Sequence, residues 1–306
     1  MELRDIEYFA VVAEHRNLGR AAAALELSPT ALSKSLRRLE KSLQAKLVNR
    51  TAKGVELTIE GDALLTRVRG LRLFLADVAR EVSDLAQGRL GRLHIGAGPS
   101  AIVERLLAGA HAALMKTSSK VTMVIRVDQT DVTLPALRAG ELDLVISGLP
   151  AQPDGDLVHE PLVDDDTVVI ASAAHPLAKK KRLTIQDLAG ERWVLSPADA
   201  VIRRRFDQLF EARGIAPPVP AVEVSSAVLK LRMAATSGLL SFQSAWWLYD
   251  PPPGLELVRI PVTEMTLCRR IGVSYRKGAY LSPAARKFIE LLKMAAKEMT
   301  AGKQSM

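Results

Sequence analysis

Residues 18–50 read LGRAAAALELSPTALSKSLRRLEKSLQAKLVNR, and this stretch decides the fold of the N-terminal region. Leu18 to Leu25 is nearly all helix former. Ala21 to Ala24 carry no bulk, so a second helix can cross them closely and steeply. Ser28-Pro29 breaks the run, because serine is a natural helix N-cap and proline suits the first helical position. From Pro29 onward Leu32, Leu36, Leu39 and Leu43 recur at helical spacing as a buried stripe. Thr30, Ser33, Lys34, Arg37 and Arg38 fall on the other faces, with hydroxyl and cationic donors suited to phosphates and base edges. From Lys34 to Lys53 there are seven Lys or Arg against one acid, Glu40. A basic run alone reads as a solvated face. A tight helix, a Ser-Pro break and a basic helix in succession read as a helix-turn-helix that lays its second helix in the major groove of double-stranded DNA. Arg20, Ser28 and Pro29 flank that helix and join the expected contact set.

Val48 to Thr58 has the pattern of a short hairpin with Lys53-Gly54 near its turn. As a wing it brings Arg50, Thr51 and Lys53 to the phosphate backbone; the other reading is a plain connecting loop. From Thr58 to Gln87 there is no proline, and glycine only at Gly61 and Gly70. Leu64, Val68, Leu71, Leu75, Val78, Val82 and Leu85 alternate in steps of four and three, a heptad seam. The spacing predicts a long helix capped by Thr58, ended by Gly88 and Gly91, and packed along its seam on a second copy of itself. Two copies then present two heads to half-sites about one helical turn apart. The alternative is a helix packed on its own chain.

Past Gly91 the period changes. Leu93, Ile95 and Ala97 alternate; a helix follows from Ser100 to Met115; Val121, Met123, Ile125 and Val127 alternate again; a helix from Val132 to Ala139 leads to an apolar strand, Leu142 to Ile146. This β-α-β-α-β series predicts a parallel sheet with right-handed crossovers. A second series has strands at Val168–Ala171, Trp193–Leu195, Ala221–Val224 and Leu239–Phe242, with helices near Ile202–Arg213 and Ala227–Thr236. A last strand, Arg270–Tyr275, and a helix, Pro283–Glu298, return to the first series. In open α/β sheets ligands sit beyond the carboxyl ends of strands. The strand-end residues are therefore the ligand candidates: Pro99-Ser100-Ala101, Gln129-Thr130, Ser147-Gly148, Ser196-Pro197 and Ser225 with Ser226. Ser100 opens a helix whose free N–H groups suit a carboxylate, although a lone serine there more often merely caps the helix. One of Arg203, Arg204 and Arg205 can hold an anion if it faces that place.

These residues resemble the LysR-type transcriptional regulators. The pattern runs through Leu3, Phe9, Val12, Arg20-Ala21-Ala22, Leu25, Ser28, Ala31, Ser33, Leu39-Glu40, Leu43, Leu47, Arg50, Leu57-Thr58 and Gly61. It departs at Leu18-Gly19, where Phe-Thr or Phe-Ser is usual, at Pro29-Thr30, where Gln-Pro is usual, at Gln44, usually Gly, and at Val48, usually Phe. Without the glutamine a base contact at position 29 is weakened, and Thr30 is the expected substitute. The resemblance is specific over residues 1–65 and continues beyond them as organisation. It implies an α/β protein with a winged helix-turn-helix (1–58), a dimerising linker helix (59–89) and a two-lobed periplasmic-binding-protein-like effector domain (90–306). Lobe I is expected at about 90–162 and 268–306, and lobe II at about 163–267. It further implies a small, often carboxylated effector at the loops of Ser100, Thr130 and Pro197. Dimers paired into tetramers, bending of the bound DNA and contact with RNA polymerase follow from the same likeness.

With 48% hydrophobic and 25% charged residues in 306, the chain has ordinary globular composition, and a net charge of +8 suits a nucleic-acid partner. A single cysteine, Cys268, excludes an internal disulfide and fits a reducing cytosol; its strand-like surroundings predict a buried thiol. The N-terminus has no signal pattern and no apolar run reaches membrane-spanning length, so a cytoplasmic protein is expected. The five histidines show no metal spacing and no nucleophile elbow appears, so no metal, no cofactor and no catalytic residue are expected. The rival is a nucleotide-binding, oxidoreductase-like protein using the loop Gly96–Ala101, with Asp128 as the ribose acid. A long spacing to Asp128, a stiffening Pro99 and the basic head all weigh against it. A solute-binding protein is the third class, opposed by the missing signal segment and the same head. Lys179–Arg182 reads as a solvated loop, Asp164-Asp165-Asp166 as a turn cap at a lobe crossover, and Trp246-Trp247 as lobe surface or tetramer contact.

Overall fold

A computed structural model describes residues 2–51, 54–87, 92–117, 121–150, 152 and 155–304, divided into two compact units, Met1–Val82 and Ser83–Met306. Lys53, Gly88 and Gly91 lie outside the described residues.

The first unit holds α1 (Leu3–His15), α2 (Leu18–Ala24), α3 (Pro29–Leu43), β1 (Val48–Thr51), β2 (Gly54–Leu57) and most of α4 (Ile59–Gln87). Ser28 caps α3 by accepting the Ala31 N–H at 3.1 Å, with Pro29 in the first turn. Asn17 caps α2 in the same way through the Arg20 N–H at 3.0 Å. Ala21 and Ala22 are buried where α2 meets its neighbours, and Phe9, Val12, Leu32, Leu36 and Leu39 close the core with Leu47 and Val55. Leu43, expected in the stripe, is exposed: α3 ends there and Gln44 turns left-handed at φ 53°. β1 and β2 pair antiparallel from Val48↔Leu57 to Thr51↔Gly54, so the hairpin reading is the right one. The Thr58 hydroxyl accepts the Gly61 N–H at 3.0 Å and starts α4. A Cβ at Gly61 would stand 2.1 Å from the Leu47 carbonyl oxygen, so only glycine lets α4 lie so close to the end of the recognition-helix region.

The heptad seam divides. Of the seam, Val68 packs into the helix-turn-helix core with Leu64 beside it, joined by Leu65 one position off the seam, whereas Leu75, Val78 and Val82 are exposed together with Phe74. The expectation of one seam facing a second copy is corrected for the first turns, which lie over their own domain. The side chain of Leu85 lies outside what is described.

In the second unit β3 (Arg92–Ala97), α5 (Ala101–Thr117), β4 (Thr122–Val127), α6 (Thr130–Arg138) and β5 (Leu144–Gly148) form a parallel block ordered β4-β3-β5. After β6 (Leu157–Ser172) come β7 (Trp193–Leu195), α7 (Val201–Glu211), β8 (Val222–Glu223), α8 (Ala227–Ser237) and β9 (Leu240–Ser244), and β7 pairs parallel with both β8 and β9. β10 (Leu257–Arg259) edges β6, β11 (Leu267–Arg276) runs antiparallel between β5 and β6, and α9 (Pro283–Gln304) packs with α5. The order β4-β3-β5-β11-β6-β9-β7-β8 is thus two parallel blocks joined by two long antiparallel strands, a two-lobed α/β fold. The β6–β11 register shifts at Ile271/Gly272, where a Cβ on Gly272 would lie 2.5 Å from the Glu160 carbonyl oxygen.

Three local expectations are corrected. Asp164, Asp165 and Asp166 lie inside β6 rather than at a turn, opposite Arg270, Arg269 and Cys268. Cys268 is exposed, because this end of β11 alternates and residue 268 faces outward. Trp246 and Trp247 are buried in the main core with Phe288 rather than spread over a lobe surface.

Candidate nucleic-acid interface and ligand cavity

On α3 the apolar stripe faces the core, and the basic residues divide by their partners. Asp5 of α1 is fully buried, and Arg38 clamps it: the Arg38 Nε donates to Asp5 Oδ2 at 2.8 Å, while its Nη2 and the Ser35 hydroxyl donate to Oδ1. The Arg38 guanidinium, helped by Ser35, holds the Asp5 carboxyl below the usual range against the opposing effect of burial. Arg38 is therefore a clamp between α1 and α3 before it is a donor to anything outside. Arg50 donates to the Ser33 hydroxyl and ties the wing to α3. Arg20, Lys34 and Arg37 are exposed and have no ion pair among the described residues, and Ser28, Pro29 and Thr30 stand exposed at the start of the helix. Thr51 is exposed at the end of β1. Glu40, the one acid in the run, turns inward and accepts the Leu47 N–H at 3.0 Å, which leaves the outer face basic.

The strand ends of the second unit surround a cavity of about 340 Å³. Pro99, Ser100, Gln129, Thr130 and Gly148 line it from the first block, and Ser196 and Ser225 from the second. Four expected residues do not. Ala101 turns into the core beneath α5, Ser147 is buried against Gly98, and Pro197 lies off the wall. Ser226 instead caps α8 by accepting the Leu229 N–H at 3.3 Å. Of the three consecutive arginines only Arg205 reaches the cavity. Arg203 pairs with Asp207 at 3.0 Å and Glu223 at 2.6 Å, and Arg204 donates to the Asp199 carbonyl.

Lys230, Thr167, Gln243, Ser244 and Arg269 complete the wall and were not expected there. Arg269 closes on buried Asp165 at 2.7 and 2.9 Å, and Ser244 donates to the same carboxylate at 2.7 Å. Lys230 is only 5% exposed, donates from Nζ to the Ser196 hydroxyl at 2.6 Å, and has no carboxylate partner among the described residues. Burial, and then the nearby Arg269 charge, push its ammonium down to about 8. The buried hydroxyls of Ser100 and Thr167 have no hydrogen-bond partner among the described residues. Lys230 leaves one trace in the sequence: it falls on the buried stripe of α8 with Ala227, Leu231 and Ala234.

The residues behind the rival nucleotide reading have other work. A Cβ on Gly96 would come within 2.8 Å of Leu142 and 3.1 Å of Thr133, so this glycine serves packing of α6 on the sheet. Asp128 accepts the Gln129 N–H at 2.8 Å at the entry to α6. Among the described residues no helix is long and apolar enough to cross a membrane.

Residues 3–62 match the bacterial regulatory helix-turn-helix protein family of lysR type, and residues 86–297 match the LysR substrate binding domain. The chain is 30% identical over 298 residues to the HTH-type transcriptional regulator GbpR of Azospirillum brasilense, covering 96% of this chain and 86% of that one. It is 32% identical over 291 residues to the regulator GalR of Pseudomonas putida, covering 93% and 71%. Among solved structures, an H2O2-bound cysteine-to-serine mutant of OxyR from Corynebacterium glutamicum superposes with a TM-score of 0.57 at 25% identity, covering 99% of this chain and 97% of that chain.

Proposed function

We propose how this chain works from the premise that it belongs to the LysR family of DNA-binding transcriptional regulators. The observation that carries the reading is on α3: Lys34 and Arg37 stand exposed, with no ion pair among the described residues, beside Arg38, which is closed on Asp5. The helix-turn-helix reads double-stranded DNA through Thr30, Ser33, Lys34 and Arg37. Arg20, Ser28, Pro29, Arg50, Thr51 and Lys53 set its register on the phosphates, while Arg38 holds α3 to α1 through Asp5. The exposed run Leu75, Val78 and Val82 on α4 supports dimerisation through the linker helix, and pairs of dimers form the working tetramer.

A small acidic effector occupies the cavity, with Ser100 and the N-terminal N–H groups of α5 receiving a carboxylate. The effector acts by favouring one arrangement of the assembly, and so one spacing of the DNA heads, over another. The protein works in the cytoplasm beside RNA polymerase and carries out no catalysis of its own. Domain bounds of 1–58, 59–89 and 90–306 follow from this division of labour.

The test is binding of the full chain to DNA upstream of its own gene across a salt series. A specific shift covering two or more half-sites supports the reading. Binding no tighter than to random DNA overturns it.

A further inference from the structure

We propose that the cavity takes a ligand with two acidic groups, the second held by Lys230, Ser196 and Arg205 on the wall opposite Ser100 in the sheet order. This rests on the effector reading above and adds the chemistry of the ligand's far end. A lysine ammonium offers three donors, and Lys230 places one on Ser196 Oγ at 2.6 Å. Its stem is buried on α8, so the charge cannot turn out to water. The other charged groups lining the cavity are Arg269 of β11, whose charge acts on Lys230 and is already closed on Asp165 of β6, and Arg205 of α7, which has no ion pair among the described residues. No carboxylate of the described residues lines the cavity. A neutral ligand would leave that buried cation unanswered. A ligand with a single acid would satisfy either this wall or the Ser100 wall, where a buried hydroxyl without a partner among the described residues lies at the start of the 17-residue helix α5, and not both.

Anion binding here holds the Lys230 proton in place. The empty site loses that proton near pH 8, so affinity for the second acid falls about tenfold between pH 7 and pH 9.

The experiment uses the full chain and calorimetry at fixed ionic strength. Succinate, glutarate and adipate are compared with butanoate, pentanoate and hexanoate, and 3-phosphonopropionate with succinate. The expected result is at least one diacid binding about tenfold or more tightly than its monoacid, with that margin lost in Lys230→Met, reduced in Arg205→Gln and eroded at pH 9. A margin for the phosphonate over succinate marks the second group as phosphoryl-like. Equal binding of mono- and diacids that is lost in Ser100→Ala overturns the second acid and leaves the effector reading standing. A margin that survives both Lys230→Met and pH 9, or no binding by any member of the series, also overturns the proposal. If Lys230→Met fails to fold, Arg205→Gln and the pH profile of the unaltered chain decide between the same outcomes.

Discussion

Asp5 and Lys230 are both buried charges, and the protein treats them in opposite ways. Asp5, in the DNA-binding head, is met from three directions by Arg38 and Ser35. Lys230, in the cavity, has a hydroxyl beside it and a second cation nearby. The same division recurs along each region. Arg38 is closed on its own chain where Lys34 and Arg37 are open, and Arg203 and Arg269 are closed where Arg205 and Lys230 are open. A charge closed by its own chain builds the fold. A charge left open costs the empty fold and is kept for what will be bound, and a buried open charge costs most because water cannot screen it.

The contrast is sharpest at Lys230. Its pKa falls from 10.5 to about 8 on folding, so the unfolded chain binds the proton more tightly. The penalty is full below pH 8 and fades as pH rises toward 10.5, an amount on the order of 3 kcal/mol. Urea titrations of the ligand-free protein should show Lys230→Met more stable than the unaltered chain by about that much at pH 7, with the gap closing by pH 10. A variant less stable at pH 7 would break the comparison. On the open face of α3, Lys34→Ala with Arg37→Ala should leave the melting temperature unchanged and weaken DNA binding about 100-fold. The slope of log K against log salt should fall by about 2 for each head in fluorescence anisotropy. An unchanged slope would remove both residues from the DNA interface.

The closed side gives the next effect. Asp5→Ala should cost about 2 kcal/mol by releasing Arg38 and Ser35. The sign is that of a lowered carboxylate: Asp5 stabilises above its unfolded pKa, and that contribution is lost as pH falls through its folded value, so variant and parent should converge in acid. The smallest change tests a local strain instead of a charge. Gln44 holds φ at 53°, and Gln44→Gly should raise stability by about 1 kcal/mol in thermal unfolding.

How far the sequence can be read follows from the distance between partners. The helix-turn-helix is legible because its signals are neighbours: Ser28 and Pro29 start α3, and Leu32, Leu36 and Leu39 give its buried face within three turns. Arg38 reads as a DNA contact because its partner Asp5 lies 33 positions earlier in another helix. The cavity is legible at Pro99, Ser100, Gln129 and Thr130, where a strand hands over to a helix and the bend itself marks the site. Arg269 and Asp165 are 104 positions apart, and nothing local joins them. Acidic triplets usually mark turns, so Asp164–Asp166 suggests a turn until the opposing Arg269 and Arg270 of β11 account for acids inside a strand. Lys230 is legible in principle, as a cation on an apolar stripe. In one sequence such a residue looks the same as a solvated helix position.

The long pair β6 and β11 stands between the two parallel blocks in the sheet, and its register slips at Gly272. That makes it a torsion bar. The stretch of strand from Gly272 to Arg276 is a lever of about 13 Å, so about 5° of twist at the slip moves its tip by roughly 1 Å. One ångström is the margin between making and missing a hydrogen bond. A ligand that twisted the ribbon at the slip by a few degrees would therefore make or break a hydrogen bond at its far end.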